Sequence, residues 1–400
     1  MLTRRTILAA AGTLAAPGLI RAQSASAPIL IGEINSYTAQ PAFTLPYRNG
    51  WQLAVEQLNA AGGVLGRKLE VVSRDDAGRP QDAVRIAGEL VNDAKVNVLA
   101  GTFLSNIGLA VSDFALQNKT LFVGGEPLTD ALIWDKGNRY TFRLRPGTYM
   151  QSAMLVEEAA KLPAKTWATV APNYEYGQSA VKWFKQLLSA KRPDVTFVAE
   201  QWPALGRIDA GATVGALAQS RPDAIFNVTF GADLTNFVRQ GNTRGLFEKR
   251  SVVSMLTGEP EYLDPLGDET PEGWIVTGYP QDTLATPEHA AFADAYRAKF
   301  SETPRCGSVV GFALIQAIAA GMVKSGGTDT EKMAEGFKGA AFGTPFGRAM
   351  FRPQDHQATL GAFVGTLTQK NGKGVMTGWR YVDGAAALPS DEAVKAMRPG

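Results

Sequence analysis

Residues 96–129 read VNVLAGTFLSNIGLAVSDFALQNKTLFVGGEPLT, and the change of hydrophobic period inside this stretch decides the fold. Val96 to Ala100 is a short apolar run, Gly101 to Ser105 a loop, the segment on to Gln117 carries a helical pattern, and Thr120 to Val123 is a second short run entering a loop with Gly124 and Gly125. Strand, helix and strand in that order make a βαβ unit, which calls for a parallel sheet with helices on its faces. Working back toward the N-terminus, Ile29 to Ile34 and Leu69 to Ser73 read as strands, with helices over Tyr47 to Ala61 and Pro80 to Asp93, Pro80 sitting in a first turn. Working forward, the rhythm restarts after Tyr140 to Arg145 and Pro146. A helix over Tyr149 to Lys161 leads into strands at Thr166 to Ala171, Val195 to Glu200, Ala224 to Val228, Ser251 to Met255 and Trp274 to Thr277. Helices over Gln178 to Ala190, Ala210 to Gln219 and Ala232 to Gln240 separate the first four. Two further helices, Pro287 to Ser301 and Ser308 to Ser325, precede β-hairpin material at Gly343 to Arg352, Ala362 to Leu367 and Val375 to Val382. The order predicts an α/β fold of two halves, with a tail that returns to each and so crosses between them three times.

Length and charge agree with this division. A chain of 400 residues exceeds what one core usually serves. Lys plus Arg number 40 against 38 Asp plus Glu, so there is no net basic field to hold nucleic acid or an anionic membrane. Arg4 and Arg5 precede an apolar run from Ile7 to Ile20 and then small residues, which predicts an export signal over residues 1–27, cleaved after Ala22 or at Ala25-Ser26-Ala27. Thr3 to Leu8 resembles the twin-arginine signal, and an ordinary Sec signal is the alternative. Either route places the mature protein outside the cytoplasm. The only cysteine, Cys306, excludes an intramolecular disulfide and is far from any lipoprotein anchor position. No other stretch reads as long and apolar enough to cross a membrane, the most apolar candidate, Val309 to Val323, carrying Gln316, glycines and alanines.

Catalytic apparatus is not visible. There is no G-x-S-x-G elbow, no phosphate-binding Gly-Lys-Ser/Thr loop and no dinucleotide glycines around Gly32-Glu33-Ile34-Asn35. His289 and His356 lie in polar surroundings away from any nucleophile-like motif. Asp75 and Asp76 have no histidine or cysteine near them and read as a strand end and a cap for the helix after Pro80, not a metal site. Binding without a metal or cofactor is the expected activity.

Residues 62–71 (GGVLGRKLEV), 75–84 (DDAGRPQDAV), 176–180 (YGQSA) and 271–273 (PEG), with similarity continuing to Gly347, resemble type I periplasmic binding proteins of the leucine/isoleucine/valine-binding family. The resemblance implies two Rossmann-like lobes joined by a three-stranded hinge, residues 28–146 plus 281–343 forming one lobe and 147–280 plus 344–400 the other. It also implies a monomer in the periplasm that captures an amino acid or organic carboxylate and passes it to ABC permease subunits. A ligand-sensing module of the same fold is the alternative, and a secreted α/β enzyme a more distant one.

Open α/β sheets bind ligands at the carboxyl ends of their strands, where helix N-termini offer free N–H groups to an anion. In the first half that place is the Gly101-Thr102-Phe103-Leu104-Ser105 loop. By resemblance Ser105 aligns with a serine that binds the ligand carboxylate, and the loop from Gly124 through Glu126 to Thr129 with the second carboxylate-holding loop. Without the resemblance, Ser105 is simply a helix N-cap. In the second half Tyr174, Tyr176, Phe230, Thr257 and Glu259 lie at strand ends, and Phe43 and Tyr279 complete an aromatic lining. The acidic residue that pairs with an ammonium in amino-acid binders falls at Ser254 or Glu259. Tyr176 and Phe230 have a plainer reading as packing residues.

Overall fold

The computed structural model describes residues 27–398. The expected export signal lies outside the described residues, apart from Ala27, whose carbonyl accepts a hydrogen bond from Arg67 Nε at 2.7 Å.

The first half alternates strand and helix: β1 (Ile29–Asn35), α1 (Pro41–Ala60), β2 (Leu69–Asp75), α2 (Pro80–Asn92), β3 (Val98–Gly101), α3 (Ser105–Gln117), β4 (Phe122–Gly124) and β5 (Thr141–Arg143). Its five strands are parallel in the order β2-β1-β3-β4-β5. Every residue of β3 and β4 is buried, as expected of parallel strands covered on both faces. The second half continues with α4 (Thr148–Ala159), β6 (Thr166–Val170), α5 (Glu175–Lys191), β7 (Thr196–Gln201), α6 (Ala210–Ser220), β8 (Ala224–Asn227), α7 (Gly231–Thr243), β9 (Ser251–Gly258), α8 (Pro260–Leu263) and β10 (Ile275–Gly278). After α9 (Pro287–Phe300), α10 (Cys306–Ser325) and the hairpin of β11 (Ala341–Thr344) and β12 (Gly347–Met350), the chain adds β13 (Ala362–Lys370) and β14 (Lys373–Val382) antiparallel to the second sheet. That sheet runs β14-β13-β10-β9-β8-β6-β7. Its parallel part repeats the strand order of the first sheet, so each has a switch point flanking its first strand, β1/β3 and β6/β8. Loops leaving those strands open a crevice there.

Three expectations change. Helix α1 begins at Pro41, not Tyr47, with Pro41 in its first turn and Pro46 inside it. Pro46, beyond the first turn, has no N–H to bond the Ala42 carbonyl, and the packing of α1 holds it in the helix. Helix α10 does reach the length and composition of a membrane span, with mean hydropathy 1.9, but 78% of that window is buried inside the fold. Its apolar residues face α1 and neighbouring elements all round, as in a core helix. Asp75 and Asp76 do not cap α2, whose N-cap Arg79 has no side-chain bond. Asp75 accepts from the amides of Thr38 and Ala77, and Asp76 Oδ1 from Ser36 Oγ at 2.7 Å and the Gly78 amide at 2.8 Å. Among the described residues no cluster of His, Cys, Asp and Glu forms a metal site.

His289 lies at the start of α9, as expected, and His356 in a loop, but both are buried and not in polar surroundings. His356 stacks on Phe142 with ring centroids 4.1 Å apart, and burial pushes its pKa down to about 3. His289 Nε2 meets Tyr279 Oη.

Candidate functional site

A small cavity lies where the loops after β3 and β4 face those after β6, β8 and β9. Phe103, Ser105, Glu126 and Leu128 line it from the first half, Tyr174, Tyr176, Phe230, Leu256 and Tyr262 from the second, and Arg145 from the segment between β5 and α4.

Ser105 is the first residue of α3, not its cap. Leu104 caps the helix and makes no side-chain cap bond, so among the described residues no capping side chain takes up the first-turn amides. Ser105 Oγ accepts from the amides of Leu128 and Thr129, each at 3.2 Å. The hydroxyl thus staples the two loops together, and its own hydrogen remains available to an acceptor. Arg143, wholly buried, supports the same loop from below. Its Nη1 donates to the carbonyls of Leu128 (3.0 Å) and Thr129 (2.6 Å), and its Nη2 to Asp130 Oδ1 (2.6 Å). Asp130 Oδ2 accepts in turn from Thr148 Oγ1 and the Tyr149 amide, both at 2.6 Å, joining the loop to the start of α4.

The other expected residues divide. Phe103, Glu126, Tyr174, Tyr176 and Phe230 line the cavity with Ser105. Phe43 sits behind it, its ring 5.4 Å from Phe103 and 6.5 Å from Tyr262. Thr102 is buried with φ +59° and its hydroxyl finds no partner among the described residues. Thr129 caps the short turn at Asp130–Leu132 and donates to Glu175 Oε1 at 2.6 Å, tying one half to the other. Thr257 and Ser254 hydrogen-bond to each other and Ser254 to Asn227, within the second sheet. Tyr279 lines a different cavity, beside Pro280 and Met376.

Arg145 and Tyr262 are the residues that the reading of the sequence missed. Arg145 Nη1 donates to Glu126 Oε2 at 2.7 Å and Nη2 to Glu259 Oε1, while its guanidinium carbon stands 5.3 Å from the Phe43 ring centroid. All three ionic groups are buried. Burial pushes the Glu126 carboxyl up, against the pull of Arg145. Burial works against the charge on Arg145, but Glu126 keeps that guanidinium firmly protonated. The alternation Thr141, Arg143, Arg145 in the strand entering this segment was the available signal, since period two puts both arginines on one face.

A family model described as periplasmic binding protein matches residues 28–373. The leucine-, isoleucine-, valine-, threonine-, and alanine-binding protein of Pseudomonas aeruginosa is 27% identical over 305 residues, 76% of this chain and 80% of that one. A solute binding protein of an ABC transporter from Rhodopseudomonas palustris HaA2, solved in complex with p-hydroxybenzoic acid, has a TM-score of 0.81 at 20% identity, covering 92% of this chain and all of that one. A leucine binding protein from Thermotoga maritima gives 0.77 at 22% identity over 88% of this chain and 98% of its own. The match over residues 28–373, on two sheets that repeat one strand order around a shared cleft, makes this chain a member of the periplasmic binding protein family with the type I fold.

Proposed function

We propose that this protein is the extracytoplasmic solute-binding component of an ABC importer, a periplasmic monomer that carries a small amino acid or organic carboxylate, aromatic ones included, to its permease subunits. The observation that carries the reading is the cleft cavity, lined by Ser105 at the uncapped first turn of α3 and by the rings of Tyr174, Tyr176 and Phe230. A carboxylate at Ser105 would accept from its hydroxyl and from the α3 amides, in the favourable field of a helix N-terminus. Amino-acid binding in the name of the Pseudomonas relative and p-hydroxybenzoic acid in the Rhodopseudomonas structure support testing both ligand classes.

The two sheets are proposed as the cores of two lobes that close about three crossings leading from one sheet to the other, while the C-terminal segment returns to the first half, where Arg398 donates to the carbonyls of Ile133 and Asn138. The first crossing runs from Arg143 to Thr148 and the second from Gly278 to Pro287. The third we place at Ala358 to Ala362, later than the boundary between residues 343 and 344 that the resemblance implied, because Gln357 still pairs with Arg143 beside β5. Contacts that span the cleft, among them Thr129 with Glu175 and Asp264 with Arg305, would form on closure, and ligand favours closure only through contacts better made in the closed form. A thermal-shift screen of amino acids and aromatic acids tests the function, since a ligand at about 100 times its Kd adds about 2.7 kcal/mol. Failure of every compound to raise the melting temperature counts against it.

A further inference from the structure

We infer that the ligand carries a positively charged nitrogen and that Glu126, on the loop after β4, is its counter-ion. This rests on the solute-binding reading above and goes further by assigning the charge of the solute and the residue that selects it.

The inference starts from a charge imbalance. Glu126, Glu259 and Glu261 are 2%, 2% and 1% exposed, and the buried cation among them, Arg145, is 5% exposed. Arg145 spends one nitrogen on Glu126 and one on Glu259. Glu261 turns to α10, where its Oε1 accepts from the Gly307 amide at 2.7 Å. Arg305 does not supply the missing charge, because it pairs with Asp264 at 3.0 Å on a rim where both side chains are more than a third exposed. Each of the three carboxyls keeps one buried oxygen with no partner among the described residues: Glu126 Oε1, Glu259 Oε2 and Glu261 Oε2. A buried carboxylate left in this state is costly, so a cation or a proton must complete the cluster when the cleft is closed.

Position decides which carboxyl a solute can reach. Glu126 lines the cleft cavity, whereas Glu259 lines a neighbouring one with Gln151, Cys306 and Phe346, Arg145 bordering both. The same cavity is lined by Phe103 from the first half and by Tyr174, Tyr176, Phe230 and Tyr262 from the second, aromatic rings of the kind that attract a cation. Of the residues at which the resemblance set an ammonium partner, Ser254 bonds to Asn227 and Thr257, and Glu259, which shares Arg145 with Glu126, lines the other cavity. The acidic end of the cleft therefore belongs to the loop after β4, the opposite side from that expectation.

Calorimetry on wild type and Glu126→Gln at pH 7 tests this with two matched sets of probes. One set is L-phenylalanine, phenethylamine and 3-phenylpropionate; the other is L-leucine, isoamylamine and 4-methylpentanoate. In at least one set the amino acid and the amine should bind wild type, the acid lacking nitrogen should bind at least about tenfold more weakly, and Glu126→Gln should cost the nitrogen-bearing probes about tenfold or more. Cooperative melting of the ligand-free variant controls for folding, and Glu126→Asp, which keeps the charge, should retain more affinity than Glu126→Gln. Binding of the acids with uptake of a proton, measured in two buffers of different ionisation enthalpy, while the amines fail to bind, overturns the inference and leaves the solute-binding proposal standing. If none of the six binds, the inference falls, and the wider thermal-shift screen of amino acids and aromatic acids decides the solute-binding proposal by itself.

Discussion

Ser105 holds two loops and, in the proposed function, a ligand, so its removal should be felt twice. Ser105→Ala takes away a hydrogen bond to a charged group, about 1.5 to 3 kcal/mol, and should weaken a carboxylate ligand roughly ten- to a hundredfold in calorimetry. It also leaves the buried amides of Leu128 and Thr129 without their acceptor, so urea unfolding should show a loss of about 1 to 3 kcal/mol. Unchanged affinity would remove Ser105 from the site and leave it only the second role. Glu33 gives a pH test at the same scale. Its Oε2 accepts from Tyr37 Oη at 3.0 Å and Ser73 Oγ at 2.6 Å, its Oε1 has no partner among the described residues, and burial pushes its pKa from 4.5 to about 8. A carboxyl with a raised folded pKa binds its proton more tightly in the native state, so its contribution is full below about pH 4.5 and is lost as the pH rises through about 8. Glu33→Gln should therefore gain stability relative to wild type between pH 5 and pH 8, measured as the difference of two urea titrations. A difference that stays constant over this range rules the shift out.

Among the elements, α10 shows most plainly how packing overrides composition. Its apolar sequence is explained by its contact with α1, and glycines set the distance of that contact. A Cβ built on Gly311 would stand 2.0 Å from the Tyr47 carbonyl oxygen, and one on Gly50 would stand 2.0 Å from that of Ser308. Neither neighbour is a side chain that can swing away. Gly311→Ala should therefore force the helices apart at about 1 to 3 kcal/mol, read as a lower melting temperature, while Gly327→Ala, with nothing within 4 Å of its added Cβ, should change it little. Equal melting temperatures for the two variants would show that the helices slide without cost. Strand and helix order was legible because period two and period 3.6 are local properties. The start of α1 was not, since Pro46 reads as a boundary and only its packed neighbours keep it inside a helix.

At the scale of the whole molecule, the proposed hinge makes closure dependent on ligand, with contacts such as that of Thr129 with Glu175 forming as the cleft closes. A saturating ligand found in the screen should reduce the radius of gyration seen by small-angle scattering. Identical scattering curves with and without ligand would show that the cleft is already closed or the halves rigidly joined. The sequence by itself determined the α/β class, the two halves and the family, because hydrophobic period, turn residues and ordered stretches such as GGVLGRKLEV are written along the chain. It also pointed to Ser105, Phe103, Glu126, Tyr174, Tyr176 and Phe230, because strand ends are where loops meet. Only the tertiary structure decided that Tyr279 turns to His289, that Phe43 backs the wall, and that Glu259 is spent on Arg145. The reason is that a charge's partner is set by distance in space: Glu126 and Glu259 are separated by more than a hundred residues of chain, and one guanidinium between the sheets holds both.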